Sequence, residues 1–499
     1  MKSIKEYKQE QGNATLQTIL GQSLWYARCC TVSVSLMSGF GIPYNYDQSR
    51  IDKWADEACK ISMHCKMPQN VMLLRAVYKK GDPKYLNAYN GDKRDYQNFI
   101  WDSSTFKKTI TPAAQAYLIL DEIMTAKYFY KSTGKDYNEA NNCDEKIGTA
   151  LMLMKSADMQ SQFMSDNLRD HDGLFIPKED ISENPFGDAE LEEEDDQPDI
   201  SDQALPMKAF SMLARTLKNP EYALFNDEQA SSANQKWASE LYEVFQDSPE
   251  DIFTSKTRDL CNVITACVEY YKINANDDVK EYIMKLALEL ESRIDMSGNL
   301  LRLPYDSKLT SNATCFTAIK SLIEAYKITG IQKFMSSATS LYNRLDILWN
   351  PMDCLYSLDK DDKYKYTSRD VGSVIAGLNL LRLFAEGDIR ENAENRLTGF
   401  FNSAVNGSKL MLSSMKPPEA HDFETLYYRS ICNGSAAGNF CHPDIPQDLE
   451  TGIAPVFAKK FTFKSNKRTY DINSKSFYAE YALYAASEML QMNYPEIEC

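Results

Sequence analysis

The stretch Thr367–Gly387, TSRDVGSVIAGLNLLRLFAEG, decides the reading of this chain. It opens on polar residues, runs through small and apolar ones, and stops at a glycine. Val371, Val374, Ile375, Leu378, Leu381 and Leu383 recur at helical spacing. Gly372, Ala376 and Gly377 leave room for another helix to approach closely. An Asp or Ser ahead of such a run accepts hydrogen bonds from the orphan N–H groups of the first turn, and a glycine after it suits the stop. This is the pattern of a helix buried on most sides.

Similar units recur in both directions. EAYKITG at 324–330 and YFYKSTG at 128–134 close helices in the same way. Helices of the buried type are expected to start near Thr111, Ser201, Lys256, Ser311, Ser368 and Lys475, with amphipathic helices between them. In the middle of the chain these starts are about 50 to 60 residues apart, a step that points to a repeat architecture. Six small-residue helices alternating with amphipathic ones predict an all-α (α/α)6 toroid, the more apolar set forming the inner ring. A linear helical solenoid is the rival arrangement. Residues 1–100 are expected to form a helical extension packed on a barrel of residues 101–499, with insertions at 180–200 and 411–470. The first insertion carries the acidic run DAELEEEDDQPD (188–199), which reads as a solvated loop. Short extended segments are expected at one face, including the HDGLF turn at 171–175.

Composition bounds the function. Hydrophobic content of 43% and charged content of 25% describe an ordinary soluble domain. A formal net charge of −16 argues against binding a phosphate backbone. No run approaches the roughly 18–20 apolar residues of a membrane span, and the first residues lack the apolar core of a secretion signal, so the expected compartment is the cytoplasm. The twelve cysteines are scattered with no CxxC, which favours reduced, buried thiols. No phosphate loop, dinucleotide fingerprint or HExxH is present, and no cofactor is expected.

With alternating helices on the page, the chain resembles the six-hairpin glycosidase-like superfamily over about residues 100–490, a group of glycoside hydrolases, unsaturated uronyl hydrolases and sugar epimerases. GSVIAGLNLLRL (372–383) also resembles the helix carrying SGNSVAALNLLRL in thioredoxin-domain proteins that end in such a barrel. Here Arg369-Asp370-Val371 replaces the Pro-Ser opening, and the redox CxxC is missing. The resemblance implies a site where the inner helices begin and a carbohydrate or other small-molecule ligand. The four histidines, His64, His171, His421 and His442, show no match to the paired-histidine arrangement of the epimerases.

Those helix starts supply the candidate residues. Asp370 and Asp202 form the first carboxylate pair, with Asp259 and Glu480 in reserve. Gln203, Arg258, Asn312, Arg369 and Tyr478 are expected around them, and Trp101, Tyr366 and Tyr478 are the aromatic residues for sugar stacking. Glycosidic cleavage needs one carboxyl group to protonate the leaving oxygen and one to activate water or attack. Each Asp is equally explained as a helix cap, and each aromatic as core or rim. No metal is expected, the weak candidate set being Cys432, Cys441 and His442, whose spacing fits no zinc finger. The alternative is a non-catalytic toroid that binds a saccharide or a partner protein.

Overall fold

The computed structural model describes residues 15–60, 67–68, 71–86, 100–132, 143–194, 198–357, 363–412 and 452–493. In chain order the α-helices are α1 (Leu16–Val32), α2 (Gln48–Cys59), α3 (Pro112–Ser132), α4 (Cys143–Asn167), α5 (Ile200–Lys218), α6 (Glu228–Asp247) and α7 (Pro249–Thr254). They continue with α8 (Thr257–Tyr271), α9 (Asp277–Ser292), α10 (Asn312–Thr329), α11 (Gln332–Asp346), α12 (Ser368–Phe384), α13 (Gly387–Phe401) and α14 (Ala479–Gln491).

Helix packing closes a ring. α3 packs on α5, α5 on α8, α8 on α10, α10 on α12, α12 on α14, and α14 back on α3. Each of these six also carries an outer helix: α4 on α3, α6 on α5, α9 on α8, α11 on α10, α13 on α12 and α1 on α14. This is the closed (α/α)6 toroid, and the closing contact between α14 and α3 excludes the linear solenoid. The first hundred residues therefore include an outer helix of the toroid as well as α2. Asn493 donates to the Leu20 carbonyl at 2.9 Å and to Ser23 Oγ at 3.0 Å, fastening α1 to the end of α14.

The two rings differ for a reason visible in their side chains. In α12 every residue from Val371 to Asn379 is buried, because both flanking helices and α13 press on it. A Cβ on Gly377 would lie 2.8 Å from the Phe316 carbonyl oxygen of α10, and one on Gly372 would lie 3.1 Å from Ala485 Cα of α14. The small residues are thus what lets three inner helices touch. An outer helix such as α11 buries only Phe334, Met335, Ala338, Leu341, Tyr342 and Leu345, the stripe of an amphipathic helix.

Short antiparallel strands follow outer helices. Asp170 accepts from the backbone N–H groups of Asp172 and Leu174 at 2.9 and 2.8 Å, and Asp295 does the same for Ser297 and Asn299 at 2.8 Å each. Gly173 and Gly298 take the positive φ these turns require, 84° and 74°. Half-buried Asp170 and exposed His171 and Asp172 belong to one such turn. Within the 411–470 insertion, the described end forms the strand Lys460–Lys464, which sits between Lys363–Thr367 and Thr469–Ile472 in a three-stranded antiparallel sheet. The pairing with Thr469–Ile472 is a local hairpin, but the partners in Lys363–Thr367 lie roughly a hundred residues back in the chain and leave no local pattern to read.

The described cysteines are free thiols, with Cys29, Cys30, Cys261, Cys267 and Cys315 buried as small apolar groups. Among the described residues, no helix is long and apolar enough to cross a membrane.

Candidate active site

The inner helices start at one face, and hydrogen bonds join start to start. Asp202, in the first turn of α5, accepts from the Ala113 backbone N–H at the beginning of α3, at 3.0 Å. Asp259, in the first turn of α8, accepts from Ser201 Oγ of α5 at 2.7 Å, and Asn262 donates to the same Ser201 oxygen at 2.9 Å. Arg369, at the beginning of α12, pairs with Glu480 of α14 at 3.3 Å. The aspartates of α5 and α8 therefore reach to the preceding inner helix rather than capping their own. The α5 cap is Asp199, which accepts from Ser201 N–H at 2.8 Å.

The mouth is framed by extended chain. Ala479 N–H donates to the Lys79 carbonyl at 3.1 Å, and Lys79 N–H donates to the Thr109 carbonyl at 2.7 Å. The segment Lys79–Gly81 thus bridges the seam between the last inner helix and the first. The last helix begins at Ala479 rather than Lys475, because Phe477–Tyr478 is pulled into pairing with Lys80–Gly81. That puts Glu480 in the first turn of α14, within reach of Arg369.

The electrostatics separate the carboxyl groups. Burial, then the charges of Asp199 and Glu480, push Asp202 up to about 8, against the opposing hydrogen bond from Ala113. Asp202 therefore keeps its proton to a higher pH than an ordinary carboxyl group. Burial and Asp199 also raise Asp259, against its bond from Ser201. Glu480 sits against the Arg369 guanidinium, both side chains about a quarter exposed (28% and 24%). Arg258 lies over the Tyr484 ring at 5.9 Å, and among the described residues its buried Nε has no hydrogen-bond partner. Burial and the Arg369 charge lower its pKa. Tyr478 and Tyr481 stand 5.3 Å apart at the rim, with Lys459 Nζ 4.0 Å above the Tyr478 ring and Arg369 5.5 Å from the Tyr481 ring.

Several sequence candidates lie elsewhere in the packing. Asp370 closes a capping box: Thr367 N–H and Oγ1 donate to its Oδ2 at 2.9 and 2.7 Å, and its own N–H donates back to Thr367 Oγ1 at 3.1 Å. Its carboxylate is occupied in starting α12, while the charge felt by Asp202 from another inner helix is that of Glu480. Trp101 is fully buried between Phe40 and Phe477, at 5.1 and 5.2 Å. Tyr366 is 1% exposed, stacks on Phe461 at 5.3 Å, and accepts from Tyr356 N–H at 3.0 Å. Both are core aromatics with no face for a sugar. Gln203 donates to the Phe175 carbonyl and accepts from Phe175 N–H, each at 2.8 Å, which pins the HDGLF turn to α5. Asn312 donates to the Ser357 carbonyl at 3.2 Å and accepts from Arg344 at 3.4 Å. Both amides are spent on connections between elements. Cys432, Cys441 and His442 lie outside the described residues.

Sequence reasoning missed Asp199, Ser201, Asn262 and Lys79. Asp199 and Ser201 flank Asp202 in the chain, so a search for polar groups clustered at a helix start would have found them. Asn262 is one turn further into α8. Lys79 is far from every inner helix in sequence, and only the seam pairing brings its charge near Asp202.

No protein-family model matches the sequence, and no curated protein matches it. Solved structures do. Cellobiose 2-epimerase from Bacillus thermoamylovorans is similar at a TM-score of 0.48 and 11% identity, covering 89% of this chain and 100% of that one. A D-mannose isomerase matches at 0.48 and 9%, covering 89% and 98%. A GH76 α-mannanase from Bacteroides thetaiotaomicron matches at 0.43 and 10%, covering 89% and 95%. The chain has the six-hairpin toroid fold, which its own ring of helices establishes. Identities this low assign it neither a substrate nor a catalytic residue.

Proposed function

We propose that this protein is a carbohydrate-active enzyme, a glycoside hydrolase or sugar isomerase, with its site at the mouth where the inner helices begin. The observation that carries the reading is the different setting of two carboxyl groups there. Asp202 is pushed up to about 8, chiefly by burial, while Glu480 is paired with the Arg369 guanidinium at 3.3 Å. A carboxyl group raised by burial suits a proton donor, and one beside a cation suits a base.

Asp202 would deliver its proton to a glycosidic or carbonyl oxygen, and Glu480 would take one from water or from a carbon-bound hydroxyl. Arg258, whose buried Nε is unpartnered among the described residues, would meet an acidic or hydroxyl oxygen of the sugar. Tyr478 and Tyr481 offer ring faces at the rim. The positive ends of the converging inner helices favour the negative charge that develops on the reacting oxygen.

The test is Asp202→Asn, screened beside the wild type on a panel of aryl glycosides and free disaccharides. Asn keeps the acceptor for Ala113 N–H, so the melting temperature should stay close to wild type while turnover falls by about 100-fold or more, the usual weight of a general acid. Asp370→Asn, a control in the capping box, should keep its activity. Turnover that survives Asp202→Asn, or that is lost equally in Asp370→Asn, refutes the assignment.

A further inference from the structure

A second concave site lies at the opposite end of the ring, where the inner helices finish. It is a cavity of about 340 Å³, within the size range of small-molecule sites. Five lysines line it: Lys127, Lys131, Lys208, Lys272 and Lys327. That is a concentration of positive charge in a chain whose net charge is −16.

Most of these lysines are accounted for. Lys131 and Lys327 stand in the last turns of α3 and α10, where a cation complements the helix dipole. Lys131 also pairs with Glu221 at 3.1 Å, Lys272 pairs with Glu269 at 2.7 Å, Lys127 lies 5.4 Å from the Tyr222 ring, and Lys327 lies 4.7 Å from the Phe384 ring. Lys208 is different. It sits in the middle of α5, away from any helix end, and is only 8% exposed. Among the described residues it makes no hydrogen bond and no ion pair. Its nearest like charge, Lys320, has already taken Glu488 and Gln491, at 2.7 to 2.9 Å.

The carboxylates at the cavity are engaged as well. Glu269 accepts from Arg215 at 2.9 Å besides Lys272, and Glu324 lies 3.9 Å from Lys320. A buried ammonium with unfilled donors is unfavourable unless an acceptor completes it. An oxyanion supplies that acceptor, and a phosphate monoester carries enough oxygens to meet several ammonium groups at once. The apolar wall of Met212, Leu383 and Phe384 suits the organic part of such a molecule.

We infer that the cavity at the C-terminal end of the inner ring binds a small phosphorylated metabolite, with its phosphate on Lys208. Burial and the neighbouring Lys320 charge depress the Lys208 pKa against the opposing charges of Glu324, Glu488 and Glu269, and a bound dianion would act with those carboxylates to favour the ammonium. Lys208 lies six residues beyond Asp202 on α5, a rise of about 9 Å, and the binding test reads phosphate affinity without turnover, so the site stands or falls apart from the proposed catalysis.

The test is calorimetric titration at constant ionic strength with inorganic phosphate, glucose 6-phosphate and unphosphorylated glucose. Wild type should bind glucose 6-phosphate saturably and ahead of glucose. Lys208→Met, which keeps an unbranched apolar stem without the ammonium, should weaken that binding by about tenfold or more. Lys327→Gln at the cavity wall should weaken it severalfold, and serves if the buried variant does not fold. Absence of saturable binding by either phosphate overturns the inference. So does glucose 6-phosphate binding that neither substitution changes.

Discussion

Replacing Lys320 by Met removes the charge at the centre of the ring. Lys320 belongs to α10 and Glu488 to α14, so their contact skips α12 and spans the interior of the toroid. The Lys320 ammonium donates to both Glu488 oxygens, at 2.7 and 2.8 Å, and to Gln491 Oε1 at 2.9 Å. The two side chains are 3% and 4% exposed. Without the lysine, the Glu488 carboxylate stays buried near Asp121, whose own carboxyl is already raised by burial and by the charges of Glu122 and Glu488. Removing one partner of such a pair costs about 3–5 kcal/mol, mostly as the burden of the charge left behind. Against the stability of about 5–15 kcal/mol usual for folded domains, the variant should be close to its limit. Replacing both residues, Lys320→Met with Glu488→Met, removes that stranded charge and should recover most of the loss, because an apolar pair of similar volume is often no worse than a buried ion pair. Urea unfolding followed by both far-ultraviolet circular dichroism and tryptophan fluorescence gives the free energies, with coincident transitions as the check on a single step. A single variant within about 1 kcal/mol of wild type would refute the reasoning. So would a double variant as unstable as the single one.

Gly377→Ala should destabilise by about 1–3 kcal/mol, because the new Cβ would sit 2.8 Å from the Phe316 carbonyl oxygen, closer than real Cβ contacts come. The gain of about 1 kcal/mol in helix propensity only partly offsets that overlap, so a stabilised variant in the same urea assay would contradict the packing described for α10 and α12. Glu122 predicts a pH dependence. It accepts from Ser156 and Gln160, at 2.9 Å each, and burial pushes it up to about 8. The folded state then holds a proton that the unfolded chain releases near pH 4.3, so stability should fall as pH rises from about 4.5 through 8. Burial of Asp202 acts in the same direction. Glu122→Gln should flatten the slope of unfolding free energy against pH over that window, and an unchanged slope would assign the proton elsewhere.

The sequence alone determined the alternation of buried and amphipathic helices, because each inner helix carries its own evidence, whereas the contact of α14 with α3 decided that they close into a ring. Small and apolar residues on all sides of Val371–Asn379, against the one-sided stripe of Phe334–Leu345, record how many neighbours each helix has. It also placed the polar residues at the inner-helix starts, since helix starts have local signatures. It did not decide what those residues do. Asp202, Asp259 and Asp370 hold the same position in the first turn of three helices, yet one bonds the preceding helix, one takes a neighbour's serine and one caps its own start. Their difference comes from what the adjacent helix and the seam strand present, which is contact between residues far apart in the chain. The same holds for Trp101 and Tyr366, whose aromatic rings suit a sugar or a core equally until the burying surfaces are known, and for Lys208, an unremarkable helical lysine until five other helices close around it. Only the tertiary structure sets burial, and burial decides which charges are neutralised, which are paired and which are left for a ligand.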